Sequence, residues 1–293
     1  MRTKLSLLLL PAVLVGASAQ AADQVAPEGA GSEEIGWTAN LKKAALQLTS
    51  TQVKNSKEYK DSPNSELSGD SETVVKGIFD FALTKEAENY KWDNGLFMEY
   101  GKTKLKPVDG PDVENETADK ILISTDYARK VWQYWDAYVG PFGNLAYQTE
   151  FDPNDGAPRT KIFRGTGGLK MFDGKYIKNL YVAGVGEYDM TYSHDKTTKA
   201  AYEIGMKAEY PLREGIVFNF DSYWRDYVAY SSYNPTDFEY ELSVKADMMV
   251  DIYQELAIGP FIQYFQADDR GSSKYGSSTI IGVEGSFGRS WGL

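Results

Sequence analysis

The sequence predicts an all-β protein, a transmembrane antiparallel up-and-down β-barrel of about 12 strands. Three observations lead to this fold class. Apolar and polar residues alternate with a period of two along much of the chain, long and short connections alternate between the resulting segments, and the first residues have the features of an export signal. Together they indicate an exported chain that crosses a membrane with strands rather than helices.

The segment FEYELSVKADMMVD, residues 238–251, shows the alternation most clearly. From Phe238 to Val250 every even position is apolar, whereas Glu239, Glu241 and Lys245 are among the polar residues at odd positions. Successive side chains of a strand point to opposite faces, so one face is apolar and the other charged. A soluble sandwich or a lipocalin-like barrel also alternates, with the apolar face turned inward, and the period alone leaves that alternative open.

Strand-like segments follow one another to the end of the chain. They lie near residues 35–49, 72–85, 90–103, 118–129, 132–150, 160–172, 175–191, 198–211, 215–230, 236–250, 254–267 and 277–292. The longer, polar connections lie near 50–71, 104–117, 152–158, 193–199, 231–236 and 268–277. The short connections lie near 86–89, 130–131, 173–174, 213–214 and 251–253.

This alternation has a simple meaning in a meander of strands. All long connections fall at one end of the sheet and all tight turns at the other, as in outer-membrane barrels. An even number of strands brings both termini to the short-turn end. Five tryptophans (Trp37, Trp92, Trp132, Trp135 and Trp291) also fall near that end, and Trp224 falls near the other. Rings at both strand ends are typical of the two membrane interfaces and favour the membrane barrel over a soluble one.

The N-terminal sequence MRTKLSLLLLPAVLVGASAQA, residues 1–21, reads as a secretory signal peptide. It has a basic start, a short apolar run and a small-residue cleavage site, and we expect cleavage after Ala21. Residues 22–34 are small, polar and acidic and are expected to form a flexible periplasmic lead-in to a barrel domain at 35–293. The formal net charge of −11 argues against nucleic acid as a partner, and the absence of cysteine excludes disulfides.

Three stretches resemble a known group of proteins: YKWDNGLFMEYG (90–101), DKILISTDYARKVWQYWDAYVGPFGNLAYQTEFD (119–152) and FRGTGGLKMF (163–172). They are similar to uncharacterised bacterial outer-membrane barrels, the domain-of-unknown-function families related to the salt-induced outer membrane protein. The resemblance covers about half of the mature chain. It implies a barrel in the outer membrane of a Gram-negative bacterium, and it implies no ligand or reaction.

The residues give little support to catalysis, and we expect no enzyme activity, no cofactor and no metal. The single histidine, His194, lies in the polar loop sequence Tyr-Ser-His-Asp, and neighbours in sequence cannot converge as a catalytic triad does. Asp152, Asn154 and Asp155 could bind calcium, but DPNDG is first of all a turn sequence. The barrel lumen is therefore the place where function is expected.

Charged residues of the C-terminal half are predicted to line the lumen in two layers. Opposed residues of an antiparallel hairpin can be paired by counting outward from its turn. The predicted layers are Lys207–Asp221–Lys245 and Glu203–Arg225–Glu241. They are compatible with a porin-like small-solute channel that has an acid-rich lumen, or with a structural barrel closed by ion pairs. Expected partners are outer-membrane lipid, small solutes or ions and the barrel-assembly machinery, and the barrel is expected to be a monomer.

Overall fold

The computed structural model describes residues 36–56, 58–59, 67, 73–105, 113–152, 158–233 and 237–293. The predicted signal peptide and lead-in lie outside these residues. The first strand of the predicted barrel domain begins at Gly36 and the last ends at Gly292. Within the described ranges, no helix is long and apolar enough to cross a membrane.

The described residues contain thirteen strand segments, which form one sheet. They are β1 (Gly36–Lys54), β2 (Thr73–Glu86), β3 (Tyr90–Leu105), β4 (Val113–Arg129), β5 (Trp132–Tyr134), β6 (Ala137–Thr149), β7 (Ile162–Phe172), β8 (Ile177–Asp189), β9 (Thr197–Arg213), β10 (Ile216–Tyr230), β11 (Phe238–Tyr253), β12 (Leu256–Asp269) and β13 (Gly276–Gly292).

The segments β4 and β5 are two parts of one barrel strand. Ala128 of β4 pairs with Phe142 of β6, and Trp132 of β5 pairs with Val139 of β6, so the pairing continues after a one-residue irregularity. The predicted turn at Lys130–Val131 is therefore wrong. These residues form a bulge, and the chain reverses at residues 135–136, between β5 and β6. With β4 and β5 joined, the barrel has twelve strands, as predicted.

The sheet closes on itself. Neighbouring strands pair in antiparallel fashion around the wall, β1 pairs with β13, and β4 pairs with β6. Closure gives the backbone groups of every strand a partner on both sides. This is the condition for a sheet to lie in lipid, where an open edge would leave N–H and C=O groups without hydrogen bonds.

The two faces of the wall have opposite chemistry. Large apolar side chains are exposed on its outer surface, among them Leu46, Leu48, Val75, Ile123, Leu145, Leu169, Val182, Val228, Ile258, Ile262, Ile281 and Val283. Charged side chains from many strands are buried inside. A soluble barrel has the reverse arrangement, so the lipocalin-like alternative is excluded and the fold is that of a transmembrane β-barrel.

Long loops and tight turns lie at opposite ends, as predicted. The connections at 55–72, 106–112, 150–161, 190–196, 231–237 and 270–275 alternate with shorter ones at 87–89, 135–136, 173–176, 214–215 and 254–255. Four of the short turns contain a residue with a left-handed backbone: Trp135, Asp173, Gly215 and Gln254. Such residues are typical of tight hairpins. Several strands extend farther toward the long loops than predicted. For example, β3 continues to Leu105 and β4 begins at Val113.

We expect the long-loop end to face the outside of the cell and the short-turn end to face the periplasm. The chain has no cysteine, so a single introduced cysteine is a specific probe. Ser273→Cys, in an exposed long loop, should react on whole cells with a thiol reagent that does not cross membranes. Glu88→Cys, in an exposed short turn, should react only after the cells are opened. The reverse pattern would contradict the topology.

Candidate functional site in the barrel lumen

Inside the barrel, an arginine lies between two glutamates. The strand register places Arg225 of β10 opposite Glu203 of β9 and opposite Glu241 of β11, the pairing expected from the sequence. Arg225 Nε donates a hydrogen bond to Glu203 Oε2 at 2.6 Å, and its Nη1 donates to Glu241 Oε1. All three side chains are almost completely buried. One guanidinium therefore joins three strands and faces two carboxylates.

Tyr181 of β8 completes this group, and the sequence analysis did not identify it. Its hydroxyl donates a hydrogen bond to Glu203 Oε1. Tyr181 pairs with Gly205 of β9, and a Cβ atom at Gly205 would lie within 2.0 Å of the tyrosine ring. The ring can lie flat over the strand only because residue 205 is a glycine. We call Tyr181, Glu203, Arg225 and Glu241 the waist cluster.

The second predicted layer has the expected register, but Lys245 forms a different ion pair. Asp221 lies opposite both Lys207 and Lys245. The ammonium of Lys245, however, lies 3.5 Å from Glu284 of β13. Glu284 is completely buried and also accepts hydrogen bonds from Lys43 and Gln47 of β1. Lys245 of β11 therefore pairs with a residue two strands away. Such a partner cannot be predicted by counting residues outward from the turn of one hairpin.

A bulge in β1 explains why Lys43 was missed. The register of β1 shifts between Leu41 and Ala44 against β13, and between Leu41 and Lys43 against β2. A bulge can direct two successive side chains to the same face of a sheet. Lys42 accordingly lines a small cavity inside the barrel, and Lys43 binds Glu284. A strict period of two would place one of them outside.

Further ion pairs fill the rest of the lumen. Glu187 of β8 lies 2.9 Å from Arg164 Nε and 3.6 Å from Lys199 Nζ, and Lys199 also lies 3.4 Å from Asp237. Lys170 of β7 pairs with Asp126 of β4, two strands away along the wall. These contacts, like those of the waist cluster, link side chains of different strands.

Two small cavities lie beside these side chains. A cavity of about 30 Å³ borders the waist cluster, and a second of about 10 Å³ lies beside Lys42. Volumes of this size accommodate water molecules rather than solutes. Acids predominate among the buried charges of the described residues: Asp80, Asp126, Glu150, Glu187, Glu203, Glu209, Glu241, Asp247, Asp269 and Glu284, against Lys43, Lys76, Lys170, Lys207 and Arg225. The lumen is thus narrow and carries mixed charge.

Two residues of the β1–β2 connection occupy the mouth of the lumen at the long-loop end. Tyr59 is 1% exposed and Leu67 is 0% exposed. They pack against Tyr223, Phe265 and Ala267, which face inward from β10 and β12. The Tyr59 hydroxyl donates to the carbonyl of Lys274 at 2.8 Å and lies 3.3 Å from the carbonyl of Ala267. We call Tyr59 and Leu67 the mouth plug.

An ion pair above the plug adds little to its retention. Glu58 Oε1 lies 2.9 Å from Lys274 Nζ, and Glu58 Oε2 accepts a hydrogen bond from Ser272. The hydrogen bonds from Lys274 and Ser272 lower the pKa of Glu58. Exposed pairs of this kind contribute little to stability, because water and salt screen the two charges. Complete burial of a large apolar side chain contributes about 1.5–3 kcal/mol, so the ring of Tyr59 and the side chain of Leu67 dominate.

Arg289 and His194 lie away from the lumen. Arg289 falls on the outer face, where it is half-exposed at the short-turn end and lies 3.9 Å from Glu255. His194 is exposed in the β8–β9 connection. Asn154 and Asp155 lie outside the described residues, so calcium binding by the DPNDG turn stays untested.

One protein-family model matches the chain. It is described as "Protein of unknown function (DUF3078)" and covers residues 64–154, about a third of the sequence. The match includes all of the stretches at 90–101 and 119–152, from which a resemblance to domains of unknown function was predicted, but not the stretch at 163–172. It gives no support to the predicted relation to the salt-induced outer membrane protein. No curated protein matches the chain.

Solved structures with a similar arrangement of strands are bacterial outer-membrane proteins of different kinds. An outer membrane channel from Pseudomonas putida F1 is 9% identical, with 91% of this chain and 100% of that chain covered and a TM-score of 0.46. Outer membrane phospholipase A from Escherichia coli is 10% identical, with 83% and 89% covered and a TM-score of 0.45. An anion-selective porin from Comamonas acidovorans is 10% identical, with 86% and 99% covered and a TM-score of 0.36. The fold assignment itself rests on the strand pairing.

Replacing Arg225 with alanine is expected to lower the free energy of unfolding by about 3–5 kcal/mol, because two buried glutamates lose their cation. Adding Glu203→Gln and Glu241→Gln should recover much of that loss, since no buried charge is then left unpaired. Both effects can be measured as the denaturant concentration at which the purified barrel loses its compact, fast-migrating form on unheated gels.

The matched control is Arg289→Ala, which removes an arginine from an exposed ion pair on the outside. It should change the free energy of unfolding by less than about 1 kcal/mol. Similar losses for the two arginine variants, or no recovery in the triple variant, would contradict the role given to the waist cluster.

Proposed function

We propose that this protein is an outer-membrane channel for small ions or solutes, held closed in the present conformation by ion pairs across its lumen. The observation that carries the proposal is the waist cluster, in which charged side chains from neighbouring strands meet inside the barrel. A barrel that serves only as a wall could fill its interior with apolar residues. Ion pairs instead leave a polar path once they separate.

The charge of the lumen supports a preference for cations. In the waist cluster one guanidinium faces two carboxylates. The buried acids elsewhere in the described lumen exceed the buried bases in number. A pore lined by excess carboxylates raises the local concentration of cations and excludes anions.

The same proposal places the protein in the outer membrane of a Gram-negative bacterium, after export and insertion by the barrel-assembly machinery, as a monomer. The exposed apolar outer face and the exclusively β-sheet crossing support this location. We propose no catalytic activity, because His194 stands exposed in a loop and its sequence neighbours Ser193 and Asp195 cannot converge with it as the members of a catalytic triad do. A relation to the salt-induced outer membrane protein remains part of the proposal.

Conductance of the purified protein in planar bilayers tests the channel function. The unmodified protein should be closed for most of the recording. The triple variant Arg225→Ala, Glu203→Gln and Glu241→Gln should conduct more, because a guanidinium is removed without leaving a buried charge unpaired. Under a salt gradient its reversal potential should show preference for cations through the remaining lumen acids.

The Arg289→Ala variant again serves as the control, and its conductance should equal that of the unmodified protein. Closed recordings for every variant would favour the structural barrel instead. A large, stable conductance of the unmodified protein would show that the ion pairs do not close the lumen.

A further inference from the structure

The mouth plug is formed by a connection that could have extended into solvent. Glu58, Tyr59 and Leu67 belong to the β1–β2 connection, at residues 55–72, which is the longest in the barrel. Connections at this end generally lie over the mouth or extend away from it. Here the ring of Tyr59 enters the lumen and becomes as inaccessible as the ion pairs below it.

The wall of the barrel provides a fitted seat for this ring. Phe265 and Ala267 of β12 and Tyr223 of β10 pack against the plug. Gly276 of β13 lies on another side of the ring, where a Cβ atom would come within 2.9 Å of two ring carbons. The hydroxyl reaches backbone groups of the β12–β13 hairpin, including the amide of Asp269 at 3.4 Å. The seat therefore holds both the ring and its hydroxyl.

We propose that Tyr59 is a latch that closes the long-loop mouth of the lumen, and that its departure from the seat admits water and small solutes to the lumen. The proposal that Tyr59 regulates conduction rests on the proposed channel function, whereas the proposal that Tyr59 closes the mouth does not. The latch is separate from the waist cluster in sequence and in chemistry. It is an aromatic contact between a loop and the wall, and the waist is a set of ion pairs between strands.

Ser278 is a suitable reporter of the closure. It faces inward on β13, two positions from Gly276, and pairs with Phe265 of the seat. It is 1% exposed, and its hydroxyl has no hydrogen-bond partner among the described residues. Ser278→Cys is therefore a small change that removes no described hydrogen bond. It also introduces the sole cysteine of the chain.

The experiment measures how fast the thiol of the Ser278→Cys variant reacts with a small, charged methanethiosulfonate reagent in the purified, folded barrel. With Tyr59 intact the reaction should be slow. Adding Tyr59→Ala should accelerate it by about tenfold or more, because the closed state no longer excludes the reagent. Gly276→Ala, which displaces the ring from the opposite side of the contact, should have a similar effect.

Three controls separate a local latch from general loosening. Tyr59→Phe keeps the ring, so the thiol at position 278 should remain protected. Tyr233→Ala removes an exposed tyrosine from another long loop and should leave the reaction rate unchanged. A Ser286→Cys variant, whose thiol is buried toward the short-turn end, should stay unreactive in the Tyr59→Ala background.

No acceleration by Tyr59→Ala would overturn the latch, and so would equal acceleration at positions 278 and 286. Conductance is a separate readout. If the thiol at position 278 becomes reactive in the Tyr59→Ala background, but the triple variant of the waist cluster stays closed even after Tyr59→Ala is added to it, the latch holds and the channel function fails. If that thiol stays protected while the triple variant conducts, the channel function holds and the latch fails.

Discussion

The constraint on which the structure depends is the absence of water around the barrel wall. A strand in lipid must satisfy its backbone N–H and C=O groups with other strands, so the sheet has to close. Here closure is achieved where β1 meets β13 and where β4 meets β6. Once the sheet is closed, the period of two assigns each side chain to lipid or to the lumen. Every charged residue on the inner face must then find its partner inside.

That second requirement explains the composition of the lumen. Removing one partner from a buried ion pair is expensive, although the intact pair need not stabilise the fold more than apolar residues would. In this lumen, one buried group is often the partner of several others. Glu284 is the shared partner of Lys43, Lys245 and Gln47, and Arg225 is the shared partner of Glu203 and Glu241. Sharing ties distant strands together. It also means that a change at one such residue affects several others at once.

The outline of the fold could be predicted from the sequence, because alternation and connection length are local properties. The pairing of Arg225 was also accessible: the tight turn at 214–215 sets its register with Glu203, and counting from the middle of the longer connection at 231–237 gives Glu241. Three features were not accessible, each for a physical reason. The bulges at Lys42–Lys43 and Lys130–Val131 break the period without any marker in composition. The partner of Lys245 lies two strands away. The insertion of Tyr59 depends on a cavity in the folded wall that fits its ring, and part of that space is available because Gly276 has no side chain.

The two closures of the lumen meet at Tyr223. Its ring packs against the mouth plug and also lies under the guanidinium of Arg225, whose central carbon is 5.3 Å from the ring centre. A cation over an aromatic face is attracted to it, more strongly when both are shielded from water. If Tyr59 leaves, water reaches that face and weakens the hold on Arg225. Contacts that share a residue are seldom independent in their energies. The aromatic closure at the mouth and the ionic closure at the waist should therefore be coupled, with Tyr223 as the residue through which opening of one favours opening of the other.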